Sequence, residues 1–349
     1  MNILDKKFGK PKGGFTGIVD LWDLPHNLVY IKLNKEFEIR LKNTLLRIGK
    51  TKKYVSLFIG IPFDKFRGLF RGQAKSLTFF EKLINFLYIK NRFEIGHEEV
   101  SKNVSWIGSR SEGKGIANPK LPFNFNSVEG ATIVSAILHD GGISKEPTTN
   151  PSYRNYEKIL RNNLMGSAES VVGDIHIKSN ISRITFPKIL GTILIHGIGM
   201  SSGSKTVSNQ EIPAFILNGT EEVKGAFLRQ AFDDDGSVYL RENDNGGREI
   251  NLANTVDVSH LSPDLCYEIK NKNLSEYSSN VIKQNKLLLE NLGIKVKGPI
   301  FKREYKTNKG EIRHTWRIHI TYKNDFRIFQ DKIGLLIPMK RERLNKIII

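Results

Sequence analysis

Val128 to Asp140 reads VEGATIVSAILHD and Val223 to Asp235 reads VKGAFLRQAFDDD, and the reading of these two stretches decides the fold. Both are mostly apolar or small, both end on aspartate, and glycine (Gly141, Gly236) follows at once. Thr220 with Glu221 and Glu222 predicts a capped helix start for the second, and Asn126 or Ser127 serves the first. Glycine just past the end is an ordinary helix stop. Aspartate in the last turn is not, because the carbonyl ends of a helix already carry partial negative charge. Two such aspartates at the same place in two similar helices predict a cation between them. If the helices pack side by side, Asp140 and Asp235 meet, with the carbonyls of His139 and Asp234 beside them. Such a pair repels unless a proton or metal intervenes, and oxygen-only ligands favour a hard cation such as Mg²⁺.

The two stretches resemble the paired LAGLIDADG motifs of single-chain homing endonucleases, with Ile133 to Gly141 and Leu228 to Gly236 on the nine motif positions. Ser135 and Gln230 stand at the third position, where a small glycine is usual, and His139 and Asp234 are bulkier than the usual seventh residue. Looser contact between the helices is expected from these departures. The resemblance implies an α+β fold: a pseudo-twofold pair of αββαββα halves whose curved sheets saddle DNA. It also implies that Asp140 and Asp235 bind Mg²⁺ (or Mn²⁺).

A second internal correspondence points the same way. Ile198-Gly199 is followed by Lys205 and Ile333-Gly334 by Lys340, seven residues after the isoleucine in each case, and RITFPK (183–188) parallels HITYKN (319–324). Self-similarity at matching places predicts internal pseudo-twofold symmetry. In the resembling family a lysine after the last helix of each half reaches the metal–water cluster, and Lys205 and Lys340 match that position.

The 349 residues carry 54 Lys and Arg against 36 Asp and Glu, a net charge of +18, which calls for a polyanionic partner. The single cysteine, Cys266, excludes an internal disulfide and a cysteine-built zinc site; it reads as a small core residue. No apolar run reaches membrane-spanning length, and MNILDKKFGK lacks a signal-peptide core. A soluble protein of the cytoplasm of a prokaryotic or archaeal cell is expected. The ends lack a terminal His-Asn pair, so an intein still in its host is not expected. His97, His176 and His196 show no metal-ligand spacing.

Three units are expected: 1–110, helical with a linker; 115–218, the first half; and 219–349, the second. In the front unit, Phe37 to Ile48 is amphipathic, Lys52 to Phe58 is a short helix, Gly60 a turn, and Pro62 opens a helix through Phe70. Leu77 to Leu87 is a third apolar-faced helix. This spacing resembles a repressor-type helix-turn-helix, with Asp64, Lys65, Arg67 and Arg71 turned outward; a small bundle with a solvated basic face is the plainer alternative. SRSEGKGIANPKLPF (109–123) reads as linker. Further on, helices are expected over 156–172, 187–198, 274–292 and 326–333, and strands near 174–178, 182–186 and 237–242, with a hairpin of 295–305 and 312–322. Tyr239, Arg241, Lys270, Lys272, Lys302, Arg303, Arg313, Arg317 and His319 lie in or beside strand-like stretches, from which alternate side chains can face a major groove.

The resemblance therefore implies a site-specific, divalent-metal-dependent endonuclease serving intron homing. It would act as a monomer on a long, imperfectly palindromic double-stranded DNA. The alternatives are a DNA-binding regulator that has lost cleavage and an intron RNA maturase.

Overall fold

The computed structural model describes residues 13–91, 95–240 and 247–349. The front of the chain runs α1 (Gly13–Thr16), β1 (Ile18–Val19), β2 (Tyr30–Leu33), α2 (Lys35–Arg47), α3 (Lys52–Phe58), α4 (Phe63–Leu69), β3 (Lys75–Ser76), α5 (Leu77–Asn91), α6 (His97–Lys102), β4 (Val104–Gly108), β5 (Ile116–Ala117) and β6 (Phe123–Asn124). Asn34 caps α2 and Thr51 caps α3 by accepting the N–H three residues on. Gly60 takes a φ of +65° between α3 and α4, a backbone shape that glycine adopts without steric cost.

The expected linker is instead structured. β4 and β5 flank the glycine- and serine-rich turn and join an antiparallel sheet of order β3-β2-β4-β5-β9. The turn composition was legible; the short apolar runs VSWIG and IA on either side carry the pairing. A Cβ on Gly115 would lie 2.3 Å from the Ile107 carbonyl and 2.7 Å from the Trp106 ring, so glycine is needed where the strands close. The front unit is thus mixed rather than helical, and a cut between 110 and 115 falls inside a hairpin.

Next come α7 (Val128–Leu138), β7 (Gly141–Ile143), β8 (Pro151–Arg154), α8 (Lys158–Val172), β9 (Asp174–Ile175), β10 (Lys178–Ser179), β11 (Arg183–Thr185), α9 (Lys188–Thr192, running on as a π-helix to Gly197), α10 (Lys205–Ser208) and α11 (Ala214–Leu217). The remainder is α12 (Glu221–Asp234), β12 (Gly236–Leu240), β13 (Arg248–Asp257), α13 (Pro263–Lys272), α14 (Asn280–Asn291), β14 (Lys297–Lys306), β15 (Ile312–Ile320), α15 (Lys323–Lys332) and α16 (Pro338–Ile348). Each of these two stretches forms a four-stranded antiparallel sheet, ordered β7-β8-β11-β10 and β12-β13-β15-β14. With β9 lent to the front sheet, both follow the order first, second, fourth, third. The paralleled sequences RITFPK and HITYKN fall at the same place in each: the end of the third strand across and the start of the following helix.

Helices α7 and α12 pack against each other at the centre. Ser127 accepts from Gly130 N and Thr220 from Val223 N, fixing both starts. Every residue of α7 from Gly130 to Leu138 is buried, as are Phe227, Leu228, Ala231 and Phe232 of α12. Each large apolar side chain so buried contributes about 1.5–3 kcal/mol. Contact is close where looseness was expected. The Ser135 hydroxyl donates to the Phe227 carbonyl across the seam at 2.7 Å, and the His139 and Phe227 rings meet edge to face at 5.8 Å. A hydroxyl in place of glycine's hydrogen is accommodated because it replaces backbone approach with a hydrogen bond.

Several elements were not anticipated, β7 and β8 among them. β13 pairs along its length with β15, but Ala253 and Asn254 blur its alternation. α13 begins at a Ser262 cap with Pro263 in its first turn, so Lys270 and Lys272 are helical rather than strand residues. The helix expected from Leu274 starts only at Asn280, after a single 3₁₀ turn over Ser275–Tyr277. α16 follows the expected last helix. Among the described residues, no helix is long and apolar enough to cross a membrane.

Candidate functional site

The ends of α7 and α12 carry the chemistry. Lys205 Nζ donates to the carbonyl of His139, the residue that closes α7. Lys340 Nζ donates to the carbonyls of Phe232, Asp233 and Gly236 at 2.9, 2.6 and 2.7 Å, closing α12. An ammonium group therefore sits on the negative end of each central helix. Lys205 begins α10 and Lys340 lies in the first turn of α16, so both arrive from segments remote in sequence.

Beside these lysines lie three carboxylates. Asp140 Oδ2 accepts from Asn155 Nδ2 at 2.8 Å. Asp234 Oδ1 accepts from the Tyr153 hydroxyl at 2.6 Å and Gln230 Nε2 at 3.0 Å, with Asn155 Nδ2 at 3.4 Å, while its Oδ2 is buried with no partner. Burial raises the Asp140 carboxyl above the ordinary range and the charge of Asp235 raises it further. Asp234 is pushed well above that range by burial and by Asp140. Asp235 is raised by burial of its carboxyl and pulled back by Lys205 and Lys340. Its outer surface stays open to water, which screens it, so its shift counts for less than that of Asp140. Burial lowers both lysines, an effect that the aspartates oppose. A cavity of about 180 Å³ opens here, lined by His139, Lys205, Asn209, Asp235 and Asn254 among others.

Among the described residues no three His, Cys, Asp or Glu side chains are grouped to hold a metal. A cation here would draw on two carboxylates and on backbone oxygens. The residues fit a hard divalent ion on that count: the donors are all oxygen, the acids repel one another, and beside them Asp234 Oδ2 is buried with no partner. The His139 carbonyl already accepts from Lys205 and has one lone pair left.

Sheet β12-β13-β15-β14 has one apolar and one polar face. The register pairs Asn251 with His319, Ala253 with Arg317, Thr255 with Thr315 and Asp257 with Arg313; the residues between them, such as Ile250, Leu252, Val256, Trp316 and Ile318, are buried. Arg313, Arg317 and His319 share the polar face. Arg313 pairs with Glu311 at 2.7 Å, Arg317 donates to His319 at 3.0 Å, and His319, largely buried, meets Glu249 at 2.9 Å. Arg303 is exposed on β14 above the Tyr305 ring. Lys270 and Lys272 project from α13 and pair with Glu304 and Glu268; basic residues suit that helix's last turn. Arg241 lies outside the described residues. In the front unit Lys65, Arg67 and Arg71 are exposed, but Lys65 and Arg71 line a cleft instead of forming one outward row with Arg67, which lies 3.8 Å from Asp64.

Several residues escaped sequence reasoning. Tyr153 and Asn155 lie at the end of β8 and just beyond it, and nothing in their local pattern marks them. Asp233 is one of three consecutive aspartates; its carboxylate accepts the N–H groups of Leu336 and Ile337, a long-range pairing invisible in the chain. Asn251 and Thr255 lie on β13, whose alternation Ala253 and Asn254 blur, and Thr315 faces Thr255 from β15.

No curated protein matches the chain. Residues 222–334 match the family model described as a LAGLIDADG-like domain. The match runs from α12 into the turn after α15 and takes in Asp235, while Asp140, Lys205 and Lys340 lie outside it. The chain carries a LAGLIDADG-like domain at residues 222–334, built on the helix that delivers Asp235 to the central seam.

Proposed function

We propose that this protein is a homing-type DNA endonuclease that hydrolyses both strands of a long pseudo-palindromic duplex with Mg²⁺ or Mn²⁺. In this reading residues 115–218 form a second, diverged half, related to the matched domain by a pseudo-twofold axis. The observation that carries the reading is the pair of central helix ends, each with an aspartate and each closed by a lysine. The shared strand order of the two sheets supports it.

Asp140 and Asp235 would hold the cation, with the carbonyls of His139 and Asp234 adjacent. When bound, it supplies Lewis acidity that neutralises the phosphate charge. Asn155 holds Asp140 in one orientation. The ammonium groups of Lys205 and Lys340 stand where negative charge develops on phosphoryl oxygens, and their fixed hydrogen bonds to helix-end carbonyls keep them there without reorganisation. The polar face carrying Arg313, Arg317 and His319, with Arg303 at its edge, would lie against DNA. Lys65, Arg67 and Arg71 in the front unit, and Lys270 and Lys272 on α13, would add contacts.

A second reading, a DNA-binding regulator that does not cut, is favoured by one observation: Lys340 is tied to three carbonyls and is less free than Lys205. One experiment separates the two. The protein is incubated with a randomised duplex library and Mg²⁺, and the ends produced are sequenced. Breaks at one site that disappear in Asp140→Asn and Asp235→Asn support the nuclease. Retained duplex binding with no breaks at any Mg²⁺ or Mn²⁺ concentration refutes it in favour of the regulator.

A further inference from the structure

A cleft of about 790 Å³ lies in the front unit between α4, the β2–β3 strands, the start of α5 and the turn after β4. Five cationic side chains line it: Lys32, Lys65, Arg71, Lys75 and Lys82. Only Asp64 and Glu112 oppose them. Among the described residues, none of the five cations forms an ion pair. Lys75 donates to Gln73 at 3.2 Å and Lys32 sits over the Trp106 ring at 5.4 Å. Lys75 is half-buried, and its ammonium lies so close over α4 that a Cβ on Gly68 would come within 2.6 Å of it. Burial and the nearby charge of Lys65 both disfavour the charged form of Lys75. Like charges converging in a walled concavity focus a positive field that an anion relieves.

We propose that this cleft grips one sugar-phosphate strand of a nucleic acid, holding DNA by its backbone without reading bases. It takes a strand, not a lone anion, because the cations are spread over β2, α4 and the turn after it, β3 and α5, and the space far exceeds one phosphate. Base reading by α4 is disfavoured by its seven residues, about 10 Å of helix, and by the turning of Lys65 and Arg71 into the cleft. Backbone contacts set position and affinity, not sequence. The inference rests on DNA as the partner and is independent of cleavage.

The test uses the full chain in EDTA, which separates it from the nuclease reading. A labelled duplex of unrelated sequence is titrated by fluorescence anisotropy across a salt series. The triple variant K65Q/K75Q/K82Q is compared with K35Q/K42Q/K158Q, which removes the same charge elsewhere. About 0.9 of salt slope per phosphate contact predicts that the cleft variant loses roughly two to three units of slope, whatever the sequence. The control and the K65R/K75R/K82R variant keep it. Equal losses in both glutamine triples, an unchanged slope in the cleft triple, or no binding of any duplex overturns the proposal. So does displacement of the duplex by micromolar AMP or pyrophosphate, which would mark a small-anion site. A protein that passes this test yet never cuts DNA leaves the cleft standing and refutes only the nuclease.

Discussion

Replacing Asp233 by alanine should unfasten α16 from the rest of the molecule. The Asp233 carboxylate is 1% exposed and accepts the Leu336 N–H at 2.9 Å and the Ile337 N–H at 3.1 Å. Ile337 occupies the cap position of α16 and has no side-chain oxygen to satisfy that turn, so Asp233 caps the helix from a distance. Hydrogen bonds to a charged acceptor are each worth about 1.5–3 kcal/mol, and removing the acceptor strands two donors. Asp233→Ala should therefore cost about 3–5 kcal/mol. Asp233→Asn keeps one acceptor oxygen and should cost about half of that. Urea unfolding at neutral pH followed by circular dichroism measures both. Hydrogen exchange should localise the loss to residues 338–348, which carry Lys340. A loss below about 1 kcal/mol for Asp233→Ala, with normal protection of α16, would mean that water replaces the cap and would refute the reasoning.

Three further outcomes are expected. His139 is buried and its imidazole is pushed down from 6.5 to about 4; between those values the unfolded chain takes up a proton that the fold refuses, so stability falls as pH drops. His139→Gln should remove about 3 kcal/mol of that loss, read from urea midpoints between pH 7 and 4. Asp140 has the opposite sign: its carboxyl is raised in the fold, so its contribution is present at low pH and lost as pH rises through the raised value. Asp140→Asn should raise the melting temperature at pH 7–8 by roughly 2 °C, with the gain gone near pH 4, and should blunt any stabilisation by millimolar Mg²⁺; a lower melting point at pH 8 would count against repulsion at the seam. Ser135→Ala removes the buried bond to Phe227 and should cost about 1–2 kcal/mol; an unchanged urea midpoint would show that the helices do not need it.

Much of the frame was legible because helix periodicity and capping are local. α3, α4, α7 and α12 lie close to where their apolar spacing and Ser, Thr or glycine punctuation put them, and the repeated Ile-Gly-(x)₅-Lys pattern brought Lys205 and Lys340 to corresponding helix ends. What stayed hidden depends on partners far away in sequence. Tyr153 and Asn155 matter only because β8 passes beneath Asp234 and Asp140. Lys270 and Lys272 read as strand neighbours, but the Ser262 cap and Pro263 start a helix that carries them. The polar face of β13 was obscured by Ala253 and Asn254, whose small or polar side chains break the alternation without breaking the pairing.

The loan of β9 to the front sheet has an engineering consequence. Ile116 pairs with Ile175 and Ala117 with Asp174, Asn118 holds Asp174 at 2.8 Å, and Lys120 reaches back to the Val172 carbonyl. The opening third of the chain is thus laced into the region behind it, not hung on as a pendant. Swapping it for a foreign module with a junction between β5 and residue 120 would bare the β9 edge, and a chimera would need that edge rebuilt before its cutting or gripping could be judged.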